Sequence, residues 1–181
     1  MDGMAEFLLM IRPEQPWHVP VRLDDVPETG LHLDLVADHQ VRAGLASLAG
    51  VLDVPRLEAA IDVARHGNGL RATGRVTATV GQTCVVTLEP MENQVDEFID
   101  VVFAPASAGE FADQDEAFEA GEPPEALSDG TADIGALAAE FLLLGIDPYP
   151  RKPGAEFAPP REDSATASPF AALTKLKNAK N

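Results

Sequence analysis

The sequence predicts an α+β domain in which an antiparallel, curved or barrel-like β-sheet packs with two or three helices. Two segments, Leu57–Ala64 and Leu70–Val80, alternate apolar and polar residues, as strands with one buried face do. Two others, His39–Leu48 and 133–145, repeat their apolar residues at helical spacing. Strands that follow one another through short turns form an antiparallel meander, and helices elsewhere in the chain cover one face of such a sheet.

The first elements lie before residue 50. Glu6–Arg12 is an apolar run of strand length, and Gly30–Ala37 alternates cleanly between leucine and polar residues. Asp38 stands where a helix that begins at His39 needs a side-chain acceptor for its free amide groups. We therefore expect two strands, followed by a helix that Asp38 caps.

The middle of the chain is predicted as a meander of four strands. An Asn-Gly pair at 68–69 connects the first two, because both residue types tolerate the positive φ that a tight hairpin turn requires. Thr83–Leu88 and Gln94–Phe103 follow as two further strands, and residues 89–93 (EPMEN) supply the turn between them. In this interpretation Cys84, the single cysteine, lies within a strand.

The composition changes at residue 104. Residues 104–131 are rich in Ala, Glu, Asp, Gly and Pro, and they bury too little apolar area to order the chain, so we expect a mobile acidic loop or a marginal helix around Ala112–Ala120. The helix 133–145 begins at Asp133, a capping residue, and prolines end its pattern. Residues 1–150 are therefore expected to form one domain, and 151–181 a linker with a short basic amphipathic segment.

The charge of the chain favours basic partners. The formal net charge is -17, and there is no Lys or Arg between Val76 and Pro150. Proteins that bind nucleic acid through its phosphates need a basic face, so this balance disfavours naked nucleic acid. The N-terminus carries Asp2 and Glu6 where an export signal would be basic, and no apolar run is long enough to span a membrane. We expect a cytoplasmic protein without membrane contact.

Motifs for enzymatic chemistry are not found in the sequence. It contains no GxSxG, GxxxxGK[ST] or HExxH pattern, and its four histidines lack the spacing of metal ligands. Cys84 has three interpretations: a nucleophile, a metal ligand or a buried apolar residue. The nearest preceding basic residue is Arg75, and no second cysteine is present, so burial is the interpretation that needs no further partner. We expect no enzyme activity, no cofactor, no metal and no small-molecule substrate.

Two separated motifs resemble the YceD family, whose members are called large ribosomal RNA subunit accumulation proteins. Residues 84–90 (CVVTLEP) are similar to a CxxCLEP-like element of that family, with Thr87 in place of the second cysteine. Residues 133–157 resemble its C-terminal helix and the segment that follows, with PYPRKPGAEF where many relatives carry cysteines. The resemblance implies a bacterial, non-enzymatic factor for accumulation of 23S-type ribosomal RNA. The positions that carry the motifs are Cys84, Leu88, Glu89, Pro90, Asp147, Pro148, Tyr149 and Pro150.

Three modes of action remain open at this point. In the first, an acidic body and loop contact a basic ribosomal protein or a pre-ribosomal particle of the large subunit. In the second, basic side chains contact ribosomal RNA directly. A metal-dependent nuclease is the third, and it would need carboxylates held around a divalent ion. The residues expected to contact RNA or a partner are Arg65, Arg71, Arg75, Arg151, Lys152, Lys175 and Lys177.

Overall fold

The computed structural model describes residues 16–105 and 124–157. The predicted strand Glu6–Arg12, the centre of the acidic segment and the basic segment near the C-terminus lie outside these residues. Seven strands, two α-helices and one 3-10 turn form the described part. They are β1 (Pro20–Arg22), the 3-10 turn (Leu23–Asp25), β2 (Leu31–Val36), α1 (His39–Ala49), β3 (Asp53–His66), β4 (Gly69–Thr83), β5 (Pro90–Pro105), β6 (Glu125–Leu127), β7 (Thr131–Asp133) and α2 (Ile134–Gly145).

A sheet of five strands, in the order β2-β3-β4-β5-β6, forms the centre of the fold. β2 to β5 are antiparallel neighbours, and β6 joins the edge of β5 in parallel. β1 and β7 form a separate two-stranded sheet. The predicted α+β class is confirmed: the sheet is mostly antiparallel, two helices accompany it, and within the described residues it is open, with β2 and β6 at its edges.

The first hairpin forms where it was predicted, but its turn lies one residue earlier. His66 pairs with Gly69, so Gly67 and Asn68 are the two turn residues. Gly67 has a φ of 56°, and Asn68 has no positive φ. A single positive φ at the first turn position is the pattern of a type II′ turn, which glycine favours. Gly69 belongs to β4, where a Cβ would lie 1.9 Å from the carbonyl oxygen of Phe103.

The prediction of a strand at Thr83–Leu88 is wrong. β4 runs without a break to Thr83, residues 84–89 form the connection, and β5 begins at Pro90. Pro90 pairs with Thr83, so most of the predicted EPMEN turn lies within β5. The apolar residues of the connection suggested a strand, but they form backbone hydrogen bonds within the loop and to a distant segment instead of a ladder.

The core lies between one face of the sheet and the two helices. Alternate residues of β3, β4 and β5, such as Ile61, Val76 and Ile99, are fully buried on this face. α1 contacts β3, and α2 contacts β4 and β5. The opposite face of β2 to β5 carries exposed side chains, and we call it the open face. Antiparallel sheets commonly have one face packed and one solvated.

Both helices begin as predicted, at aspartate caps. The side chain of Asp38 accepts a hydrogen bond from the amide of Val41 at 2.9 Å. Asp133 accepts from the amides of Ala136 at 3.1 Å and Val19 at 2.9 Å, so it also ties α2 to the segment before β1. Such caps satisfy amide groups that have no partner within the helix. None of the helices in the described residues is long and apolar enough to cross a membrane.

The segment 104–131, predicted as a loop, is structured at both ends. β5 continues to Pro105, and β6 pairs with its last residues, with Leu127 opposite Pro105. Ser128 and Thr131 then form a turn that leads into β7. Leu127 and Ala132 are buried in the core, and apolar anchors of this kind explain why the ends differ from the composition of the whole segment.

Candidate functional site

The loop 84–89 folds back on itself between β4 and β5. The amide of Leu88 donates to the carbonyl of Cys84, and the amide of Cys84 donates to the carbonyl of Glu89, each at 2.9 Å. Leu88 has a φ of 59°, in the left-handed region that residues with a Cβ rarely adopt. Its side chain is 76% exposed. The backbone therefore fixes the shape of the loop and leaves Leu88 facing solvent.

The thiol of Cys84 lies inside this loop and is fully buried. Its sulfur accepts from the amide of Thr87 at 3.5 Å and from the amide of Lys152 at 3.4 Å. Hydrogen bonds, first from the Thr87 side chain and then from the Lys152 backbone, lower the pKa of the thiol to about 6, against the effect of burial. The burial expected from the sequence is correct, but the sulfur also joins two distant parts of the backbone.

The segment 147–152 docks directly on the loop. The amide of Val85 donates to the carbonyl of Pro150 at 2.9 Å. The side chain of Lys152 forms an ion pair with Glu89 at 2.8 Å, and this pair holds the pKa of the Glu89 carboxyl below its ordinary value. Two motifs that are far apart in the sequence, 84–90 and 147–150, therefore form one structural unit.

A buried amide side chain supports this unit from the sheet. Gln82 donates to the carbonyl of Asp147 at 2.8 Å and accepts from Asn93 at 2.7 Å. Sequence reasoning did not select Gln82 or Asn93. The signal in the sequence was that Gln82 continues the alternation of buried positions in β4 after Val80. In the structure this residue is only 7% exposed. A polar residue at such a position needs a specific partner.

Hydrogen bonds to backbone groups hold together the loop 84–89 and the segment 147–152, and we call this unit the Cys84 junction. Thr87 contributes a hydroxyl where the related motif has a second cysteine, and its amide donates to the sulfur of Cys84. In residues 16–105 and 124–157, no group of three or more His, Cys, Asp or Glu side chains is placed to hold a metal ion. A zinc site requires about four such ligands in tetrahedral arrangement. The described residues supply one thiol at this place.

A family model described as "Large ribosomal RNA subunit accumulation protein YceD" matches residues 72–177, more than half of the chain. The chain belongs to the YceD family. The resemblance stated from the two motifs is thereby confirmed, and the family's description ties the chain to ribosome biogenesis. Searches among curated proteins and among solved structures found no match. The matched range begins within β4 and includes both motifs of the junction.

The YceD motif positions divide into buried supports and exposed tips. Pro150 is buried under the loop, whereas Tyr149 is 71% exposed beside it. The amide of Tyr149 is held by the carboxylate of Asp147 at 2.8 Å, which fixes the turn. A groove of about 270 Å³ runs along the junction, and its walls include Leu52, Gln82, Val85, Ile146 and Pro148.

The arginines predicted to contact RNA on the sheet are already paired. Arg71 forms two hydrogen bonds with Asp100, both at 2.7 Å, and this pairing lowers the pKa of the Asp100 carboxyl. Arg75 contacts both oxygens of Asp96 at 2.7 and 2.8 Å. All four side chains lie on the open face of β4 and β5. A phosphate group would have to compete with these carboxylates for both guanidinium groups.

Of the other predicted contact residues, the three that the structure describes lie apart from Arg71 and Arg75. Arg65 donates to the carbonyls of Val26 at 2.7 Å and Asp24 at 3.3 Å, so it anchors the chain before β2. Arg151 and Lys152 lie at the Cys84 junction. Lys175 and Lys177 lie outside the described residues. The structure therefore brings two of the predicted arginines together on one face and places Arg65, Arg151 and Lys152 elsewhere.

Proposed function

We propose that this protein is a non-enzymatic ribosome biogenesis factor that supports accumulation of 23S-type ribosomal RNA in the cytoplasm. It acts in large-subunit assembly through contact with a basic ribosomal protein or a pre-ribosomal particle that contains one. Membership of the YceD family supports the process. The choice of a protein partner rests on charge.

The observation that carries this choice is the neutralisation of Arg71 and Arg75. Their carboxylate partners, Asp100 and Asp96, lie within 2.7 Å, in a chain whose formal net charge is -17. RNA binding draws its affinity from cations that displace counterions along the phosphates. A basic ribosomal protein instead meets an excess of carboxylates, and electrostatic attraction raises the rate at which the two proteins associate.

Direct RNA binding is the second candidate, and one observation favours it. Arg151 is exposed beside the Cys84 junction, and no ion pair of this residue occurs within the described residues. The segment that follows it continues toward the lysines near the C-terminus. A nuclease has less support, because the described residues hold no cluster of metal-binding side chains.

Affinity capture of the tagged full chain from its native lysate at low salt, with and without ribonuclease, tests the proposal. We expect basic large-subunit proteins to remain bound after the RNA is digested and to be released as the salt concentration rises. Loss of all ribosomal material together with the RNA would refute direct protein binding. As a separate measurement, depletion of the protein should lower the ratio of 23S to 16S RNA in cells.

A further inference from the structure

The open face of the sheet is an ordered grid of side chains that no described element covers. Its rows follow from strand register, because residues paired across antiparallel strands point to the same face. The central row runs from β2 to β5 through Asp34, Ala60, Arg75 and Phe98. The rows on either side are His32, Asp62, Thr73, Asp100 and Val36, Glu58, Thr77, Asp96.

Phe98 is the apolar feature at one end of the central row. Its side chain is 60% exposed, although it lies in the middle of the long strand β5. Asp96 and Asp100 flank it along the strand, and Arg75 is the residue paired with it on β4. Aromatic residues, Phe among them, are enriched in the cores of protein interfaces relative to the rest of the surface.

The other end of the central row is acidic. Asp34 and Asp62 have no arginine partner among the described residues and share His32, whose ring nitrogens lie 3.4 and 2.7 Å from them. The three arginines of the face pair instead with Glu58, Asp96 and Asp100. Of the five carboxylates in the three rows, three are therefore paired with guanidinium groups, and Asp34 and Asp62 are the two that are not.

Between the two ends, Ala60 leaves the surface low. β2 and β5 are separated by three strand spacings, so Asp34 and Phe98 are about 14 Å apart. An extended peptide advances about 3.4 Å per residue, and four residues span this distance. A chain that crosses the strands over Ala60 and over Arg75, whose charge is paired with Asp96, can therefore place an apolar side chain on Phe98 and a basic side chain at Asp34 and Asp62.

We propose that the open face binds an extended, basic protein segment in which Lys or Arg follows an apolar residue after about four positions. This inference rests on the proposed function and names the surface that would contact the basic ribosomal protein. The excess of carboxylates disfavours RNA on this face. A second copy of the chain is also disfavoured, because each copy carries a formal net charge of -17.

The test is an NMR titration of the ¹⁵N-labelled full chain with a synthetic peptide of three Leu-Ser-Gly-Ser-Lys-Lys repeats. We expect the amide signals of Asp34, Ala60 and Phe98 to shift. Phe98→Ala should weaken binding about tenfold, whereas Leu144→Ala, at an even more exposed apolar residue on α2, should leave binding unchanged. Phe98→Leu keeps an apolar contact and should bind more tightly than Phe98→Ala, provided that both variants retain the wild-type amide spectrum.

The charge at the other end is tested by a matched pair of variants. Asp34→Asn with Asp62→Asn should weaken binding and reduce its dependence on salt, while Asp24→Asn with Asp25→Asn makes the same change in net charge away from the open face. Equal affinity in both double variants would refute the proposal. Two further results would also refute it. One is that an oligouridine RNA shifts the same amides more than the peptide does, and the other is that these amides shift because the chain associates with itself.

Failure of this inference and failure of the proposed function give different results. If the wild-type chain captures basic ribosomal proteins and Phe98→Ala captures them equally, the open face is the wrong surface and the function stands. If the wild-type chain captures none, the proposed function fails. In that case the peptide titration still decides whether the open face binds basic segments.

Discussion

Gln82 provides a direct test of how the two YceD motifs are held together. Its buried amide donates to the carbonyl of Asp147 and accepts from Asn93, so replacement by alanine removes two hydrogen bonds. A net contribution of about 1 kcal/mol for each bond, with a further cost for the partners left behind, gives a loss of about 2–4 kcal/mol in the free energy of unfolding. For a domain of this size, that is a fall in Tm of roughly 10 °C.

Urea unfolding of the full chain, followed by circular dichroism, measures this loss. Methionine has nearly the volume of glutamine but lacks the amide group that forms both hydrogen bonds. Gln82→Met therefore separates the loss of hydrogen bonds from the loss of packing. Gln94→Ala is the control, because it removes only the exposed hydrogen bond from Thr79, at 3.2 Å. We expect that control to change stability by less than about 0.5 kcal/mol.

Amide hydrogen exchange gives the local counterpart of this measurement. If Gln82 holds the segment 147–152, exchange at Val85 and Lys152 should accelerate more in Gln82→Met than the global loss of stability predicts. The reasoning is refuted if Gln82→Met unfolds at the wild-type urea concentration, or if it is no more damaging than Gln94→Ala. Either result would mean that the junction is held by the loop backbone alone.

Three further predictions follow from the same region and from the sheet. The pKa of the Cys84 thiol is about 6 in the folded protein and 9.0 ordinarily. The free energy of unfolding, measured by urea titration, should therefore rise from pH 6 to pH 9, and Cys84→Ala should remove this rise. Gly74→Ala should prevent folding or cost more than about 4 kcal/mol by thermal unfolding, because the new Cβ would lie 2.2 Å from the carbonyl oxygen of Ala60. Lys152→Met should cost less than about 1 kcal/mol in the same assay, since the partner carboxylate of Glu89 is 63% exposed and methionine keeps the apolar part of the side chain.

Local patterns in the sequence predicted the elements that local interactions determine. Alternation gave the hairpin of β3 and β4, and the aspartates at positions 38 and 133 gave the starts of both helices. The connection 84–89 was mistaken for a strand because its valines and threonine favour strands. Its actual shape depends on hydrogen bonds to Pro150 and Lys152, for which no local pattern exists.

The candidate surfaces were harder to predict for the same physical reason. The basic residues on the sheet were predicted to contact RNA or a partner, but the sequence did not show that carboxylates on another strand pair with them. Arg71 and Asp100 are 29 positions apart, and only the register of β4 with β5 places them together. Phe98 interrupts the polar residues on one side of its strand, and this was the sequence signal of the open face. The signal was ambiguous because Phe98 also belongs to an apolar run in the sequence.

The hydrogen bond between Lys152 and Cys84 also sets an order of events during synthesis. The two residues are 68 positions apart, so at a translation rate of about 5–20 residues per second Cys84 is made roughly 3–14 s before the segment that covers its thiol. The strands β2 to β5 pair with their neighbours in the chain, so their partners are already made by the time the segment around Lys152 is synthesised. Cys84 is therefore accessible to oxidants on the nascent chain, and its thiol is buried once the segment around Lys152 has been made and has docked.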